Sequence, residues 1–160
     1  KGRGSQGAKT FVELLARAAN YERKYFLAYP EFGPERSGTP INAFFKLDDS
    51  RIRSREPIRT PDAIVVMDKS LPKYDKELKK RGILILNSPS EKRDHFVDAN
   101  LISKNIAGKI LPNVVMLGAL IKIINVLKKE SVEKAIIDLF NESAAEISLK
   151  CFEEGYNKVK

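Results

Sequence analysis

Apolar residues recur along this 160-residue chain in two rhythms, helical spacing towards both ends and short unbroken runs between them. Phe11, Leu14, Leu15 and Ala18 stand at i, i+3, i+4 and i+7, which predicts a helix starting near Gly7. Tyr25 to Tyr29 (YFLAY) reads as a short aromatic strand ended by Pro30. The following stretch 30–40, PEFGPERSGTP, holds three prolines and two glycines and is expected as a shaped loop. Ile41 to Leu47 reads as a strand and Arg51 to Ile58 as a polar turn with a short strand, so a hairpin is expected around 41–58. Ala63 to Met67 (AIVVM) and Ile83 to Leu86 (ILIL) read as buried strands. A short helix at Tyr74 to Lys80, stopped by Arg81-Gly82, separates them, and His95 to Val97 predicts a last strand before a helix at Asp98-Ala99-Asn100.

The C-terminal third is helical throughout. Pro112 suits the first position of a helix through about Ile124, in which Val114, Val115, Met116, Leu117, Leu120 and Ile121 cover most faces and predict deep burial. Ser131 is expected to cap the next helix, which carries Val132, Ala135, Ile136, Leu139 and Phe140. Asn141-Glu142-Ser143 interrupts the pattern, and a final helix carries Ala145, Leu149, Phe152 and Tyr156. Short apolar strands alternating with helices predict an α/β fold: three-layer α/β/α, Rossmann-like, with a mostly parallel central sheet and an added antiparallel strand or hairpin. Ligands of such sheets lie beyond the carboxyl ends of the strands. The N-terminal turn, the loop after YFLAY and the MDKSLP turn after AIVVM are all expected there.

That N-terminal turn is chemically the most suggestive segment. Lys1-Gly2-Arg3-Gly4-Ser5-Gln6-Gly7 contains a G-x-G-x-x-G run directly before a helix. Glycines there allow close backbone approach, and the helix start offers unpaired N–H groups and the positive end of its dipole to an anion. The strand that normally precedes such a run is expected to be lacking, because the chain begins at Lys1 rather than at a methionine.

Composition narrows the partners. The length suits one domain with its own core. No apolar run approaches the roughly 18 residues of a membrane span and no signal peptide is visible, so a cytoplasmic location is expected. The single cysteine, Cys151, allows neither an intrachain disulfide nor an iron–sulfur cluster held by this chain alone. A formal charge of +8 favours acidic partners, but the excess is scattered over lysines such as Lys79, Lys80, Lys128 and Lys129. A nucleic-acid module would concentrate that charge in a patch with a motif, and none is present.

Reactive groups are sparse. A dinucleotide site needs an acid at the end of the second strand; Glu22 has the spacing but precedes the strand, and Glu31 follows it inside the proline-rich loop. The lone His95 has no matching nucleophile, and one histidine and one distant cysteine give no metal spacing. Asp48-Asp49 and Glu153-Glu154 read as solvated pairs, and Cys151 as a core residue. What remains is an anion-facing surface: Gly2, Arg3, Gly4, Ser5, Gln6 and Gly7, with Glu35, Arg36 and Ser37 in the loop. Arg36 suits bidentate phosphate contact or a bracing salt bridge, and Ser37 can donate a hydroxyl hydrogen bond. Pro112-Asn113 is a helix start bordering the same crevice. A free-standing NAD(P)- or flavin-binding oxidoreductase domain stays open at this point.

The order of motifs resembles the gamma subunit of 2-oxoacid:ferredoxin oxidoreductases. It rests on G-R-G-S-Q-G-A, A-Y-P-E-F-G-P-E-R-S-G-T-P, L-P-N-V-V-M-L-G-A-L and the tail F-E-E-G-Y, which together run through essentially the whole chain. Pyruvate synthase gamma subunits look closest. The resemblance implies an enzyme that oxidatively decarboxylates a 2-oxoacid to acyl-coenzyme A while reducing ferredoxin. It places thiamine diphosphate, magnesium and iron–sulfur clusters on alpha, beta and ferredoxin-like delta subunits, with this chain inactive on its own. By position, Gly2 to Gly7 would face coenzyme A, and Glu35, Arg36 and Ser37 occupy a coenzyme-contacting segment.

Overall fold

A computed structural model describes residues 1–32, 39–54, 56, 58–71, 75–91 and 95–160. Among the described residues, six strands and five helices follow one another. They are β1 (Gly2–Arg3), α1 (Ala8–Tyr21), β2 (Tyr25–Phe32), β3 (Pro40–Asp48), β4 (Ala63–Val66), β5 (Ile83–Asn87) and β6 (His95–Val97), then α2 (Ala99–Ala107), α3 (Pro112–Ile124), α4 (Lys129–Leu139) and α5 (Glu142–Lys158).

The strands form two three-stranded groups, β1-β3-β2 and β4-β5-β6. The first is antiparallel, with Gly2 opposite Ile41 and Tyr29 opposite Phe44. The second is parallel, with Val65 opposite Ile85 and Leu86 opposite Phe96. Lys1 joins them: its amino group donates to the Val65 carbonyl at 2.8 Å, and the Met67 N–H donates to the Lys1 carbonyl at 2.8 Å. This is the bonding pattern of a parallel pair. The sheet therefore reads β2-β3-β1-β4-β5-β6, and β3 alone runs against the rest. The expected mixed α/β architecture with an antiparallel element is present.

Alternate residues of the strands face two cores. Met67, Ile85 and Val97, with the partly buried Phe45, Leu47 and Val65, pack into the main cluster formed by α1, α3, α4 and α5. Ile64, Val66, Leu84 and Leu86 face the other way and meet Leu78, just after a 3₁₀ turn at Asp75–Glu77. Helices α3 and α5 approach so closely that a Cβ on Gly155 would strike the Val115 carbonyl. The glycine of the F-E-E-G-Y tail is thus a packing requirement.

Several local expectations are corrected. Pro30 does not end the second strand; it sits inside β2, opposite Ala43. β2 lies at the sheet edge, where a missing N–H can face outward without breaking a ladder bond. The hairpin is consequently β2–β3, not the segment 41–58, and no strand forms among the described residues of 51–58. Tyr74, the expected start of a helix to Lys80, lies outside the described residues, and the described part of that span holds only the 3₁₀ turn. Ser131 does not cap α4, which begins at Lys129. There the Glu22 carboxylate accepts from the Lys128 N–H at 2.7 Å, so a residue distant in sequence anchors the helix start.

Candidate functional site

The carboxyl ends of β1, β4 and β5 lie side by side, and the turns that follow them meet. After β1 the chain closes a tight turn in which the Gln6 N–H donates to the Arg3 carbonyl at 2.9 Å and the Arg3 N–H donates to Gln6 Oε1 at 2.8 Å. Gly2 is buried against that Gln6 oxygen and Met67, with no room to spare for a side chain. Gly4 and Ser5 are exposed at the tip. Gly7 adopts φ 76°, a left-handed conformation that favours glycine, and a Cβ there would collide with the Asn113 amide. Pro112-Asn113 therefore borders the glycine turn directly, with Asn113 Nδ2 3.5 Å from the Gly7 carbonyl.

The turn delivers an open helix start. Gly7 is the N-cap of α1; no side chain caps it and its first turn holds no acidic residue. The amides of Ala8, Lys9 and Thr10 are the first-turn donors that an α-helix cannot satisfy internally. With the helix dipole they favour a negative group at this end. Arg3, by contrast, is engaged. Its Nε donates to Asp68 Oδ2 at 2.7 Å and its Nη2 to Ser70 Oγ at 2.8 Å. Asp68 also accepts from the Ser70 hydroxyl at 2.7 Å and the Ser70 N–H at 2.9 Å. The Ser70 hydroxyl is the main reason the Asp68 carboxyl lies below the ordinary carboxylate range, with the Ser70 N–H and Arg3 adding to it against partial burial.

At the end of β5 the polar groups are closed upon themselves. Asn87 Nδ2 donates to the Met67 carbonyl at 2.9 Å and to Asn100 Oδ1 at 2.8 Å, and Asn87 Oδ1 accepts from the Ala99 N–H at 2.9 Å. Asp98 caps α2 by accepting from the Leu101 N–H at 2.9 Å. Lys69 spans the two turns, donating to Ser88 Oγ at 3.2 Å and Glu91 Oε2 at 2.9 Å.

The structure thus brings Gly2, Arg3, Gly4, Ser5, Gln6 and Gly7 together with the MDKS turn. Glu35, Arg36 and Ser37 lie outside the described residues, but the ends of their loop are placed: Pro40 stands opposite Arg3, and Phe32 and Gly2 both stand opposite Ile41. Asp68 as the partner of Arg3, and Asn87 as the lock of α2, escape a reading of the sequence alone. Their one signal is position, since each is a polar residue at the end of an apolar strand run. Cys151 is buried, and burial pushes its thiol pKa up. No group of three or more His, Cys, Asp or Glu side chains lies together among the described residues, and no described helix is long and apolar enough to cross a membrane.

A sheet with one reversed strand among those described and a glycine turn leading into α1 define a Rossmann-like α/β domain. The profile of the pyruvate ferredoxin/flavodoxin oxidoreductase family matches residues 1–158. The chain is 39% identical to the pyruvate/ketoisovalerate oxidoreductases common subunit gamma of Thermococcus kodakarensis, over 98% of this chain and 93% of that protein. It is 36% identical to pyruvate synthase subunit PorC of Methanocaldococcus jannaschii, over 99% and 93%. The crystal structure of the pyruvate oxidoreductase subunit PorC of Thermotoga maritima superposes with a TM-score of 0.89 at 31% identity, over 99% of this chain and 93% of that one. This chain belongs to the pyruvate ferredoxin/flavodoxin oxidoreductase family and stands there as a gamma subunit of the pyruvate synthase type. The 2-oxoglutarate:ferredoxin oxidoreductase of Magnetococcus marinus, solved with 2-oxoglutarate, coenzyme A and succinyl-CoA, shares the fold at a TM-score of 0.83 and 15% identity, with this chain spanning 29% of its length.

Proposed function

We propose that this chain packs on the thiamine-binding subunits of a pyruvate-type 2-oxoacid:ferredoxin oxidoreductase and contributes the glycine turn to the coenzyme A site. In this reading alpha and beta subunits hold thiamine diphosphate and magnesium, and the delta subunit holds iron–sulfur clusters. The observation that carries the coenzyme assignment is the uncapped start of α1, with Gly7 at φ 76° and no carboxylate in its first turn. The donor set fits a phosphate-bearing ligand: Ala8, Lys9 and Thr10 present amides and Ser5 a hydroxyl at an exposed tip. Coenzyme A supplies the thiol that accepts the acyl group, and its phosphates are what such donors would hold. Arg3 shapes the turn through Asp68 and Ser70, leaving Arg36 as the proposed cationic contact, with Glu35 and Ser37 as its sequence neighbours.

The alternative of a free-standing NAD(P) or flavin domain gains nothing from the geometry. Glu31, expected just past the second strand, lies within β2, which is separated from β1 by the reversed β3, and Asn42 donates to its carboxylate at 3.4 Å.

The test is made on the assembled enzyme, purified anaerobically through this chain. Co-purification of two thiamine-binding subunits and a small ferredoxin-like subunit is the expected composition. Ser5→Asp, through charge repulsion, and Arg36→Ala should each raise the coenzyme A KM, by about tenfold for Arg36→Ala, since one lost charged contact is worth about 1.4 kcal/mol or more. Coenzyme-independent release of carbon dioxide from pyruvate should stay intact. An unchanged coenzyme A KM in both variants sinks the site; recovery of this chain alone with bound dinucleotide sinks the subunit reading.

A further inference from the structure

The sheet edge that favours an anion also holds a carboxylate. Asp68 follows β4 and stands beside the glycine turn, where an acid opposes a negative ligand unless its charge is cancelled. Arg3 cancels it, with Nε 2.7 Å from Oδ2. That contact occupies the cation whose planar fork is best shaped to hold a phosphate. A guanidinium turned onto a carboxylate gives up attraction for the ligand, so anion binding by Arg3 itself does not explain the pair.

Arg3 is fixed at both ends, and the tip of the turn hangs between them. Its main chain belongs to the glycine turn: the N–H donates to Gln6 Oε1 at 2.8 Å and the carbonyl accepts from the Gln6 N–H at 2.9 Å. Its side chain belongs to the next turn, bonded to Asp68 Oδ2 and to Ser70 Oγ. Asp68 is held in place too, because Oδ1 accepts from the Ser70 N–H and hydroxyl and its carbonyl accepts from the Leu71 N–H at 3.1 Å. Lys69 and the Met67 carbonyl tie the same turn to the end of β5 through Ser88, Glu91 and Asn87. Gly4 and Ser5 are exposed, and a Cβ on Gly4 would meet Ile41 only at an ordinary contact distance of 3.6 Å. Packing therefore does not fix the tip; the two anchors of Arg3 do.

We infer that Asp68, supported by Ser70, is a positioning residue for the coenzyme: it holds Arg3 away from the ligand and so keeps the tip of the glycine turn in the arrangement that receives phosphate. The inference rests on the coenzyme reading above. Asp68 acts through Arg3 and does not touch the ligand. Recognition then comes from the shape of the turn and its amides, not from a swinging guanidinium.

The test is a double-mutant cycle in the assembled enzyme. Asp68→Asn keeps the size of the side chain and an acceptor for Ser70 but removes the charge that faces Arg3. Asp68→Asn and Arg3→Ala should each raise the coenzyme A KM about tenfold, the effect of one charged hydrogen bond, with kcat changed by less than about twofold. The double variant should stay near tenfold, because Asp68 has nothing to position once the Arg3 side chain is gone. Ser70→Ala, which spares the Asp68 contact, should raise the KM about threefold. An unchanged or lowered KM in Asp68→Asn, or in Ser70→Ala should Asp68→Asn not assemble, overturns the inference; a lowered value means that the released Arg3 binds phosphate itself. A rise of about a hundredfold in the double variant overturns it too, since the two residues then act independently. So does a fall in kcat as large as the rise in KM. Ser5→Asp separates this inference from the site: an unchanged KM there removes the coenzyme site, whereas a raised KM there with none in Asp68→Asn removes only the positioning role.

Discussion

The start of α2 is sealed by side chains, whereas the start of α1, on the other flank of β4, is left open. At α2 the Asp98 carboxylate and the Asn87 amide accept from first-turn N–H groups, and Asn87 simultaneously ties down the Met67 carbonyl. At α1 a left-handed glycine takes the cap position and no side chain replaces water or ligand. Both helices begin at the same edge of one sheet and carry the same dipole. The difference lies in where the polar groups find partners: a satisfied helix start holds the fold, and an unsatisfied one is available for binding.

On the sealed flank, Asn87→Ala removes four side-chain hydrogen bonds, two of them buried, and leaves the Met67 carbonyl and Ala99 N–H without that partner. A loss of about 3 kcal/mol is expected in urea unfolding. Exchange should quicken at Ala99 and Asn100 more than at the first turn of α1. If α1 loosens equally, the two helix starts are not independent. The smallest effect belongs to the cap alone. Asp98→Ala should cost about 1 kcal/mol, since Asn87 continues to hold the second donor. A cost near that of Asn87→Ala would mean that the cap, not the amide lock, seals α2.

Legibility in the sequence followed the range of the interactions. The α3 helix from Pro112 to Ile124 is readable to its ends, because a proline start and an all-round apolar sequence act locally. So are the buried runs of β4 and β5 and the glycine turn into α1. Pro30 misleads because a proline is judged a breaker until its strand is known to lie at an edge. Ser131 misleads for a related reason: the group that anchors α4 is Glu22, far away along the chain. Of the candidate site, the glycine turn is visible in the sequence, but the partners that shape it are not. Arg3 reads as a free cation until Asp68 and Ser70 are brought against it by the pairing of Lys1 with β4.

The amino-acid sequence by itself determined the alternation of strands and helices, the glycine turn into α1 and the ordered motifs of the family. Each of these is written in residues that are neighbours or lie one helical turn apart. Only the tertiary structure decided that, among the described strands, β3 alone is reversed, that Arg3 is neutralised, and that α2 is sealed while α1 is open. Those outcomes depend on hydrogen bonds and packing between segments far apart in the chain, whose partners are chosen by the closing of the sheet.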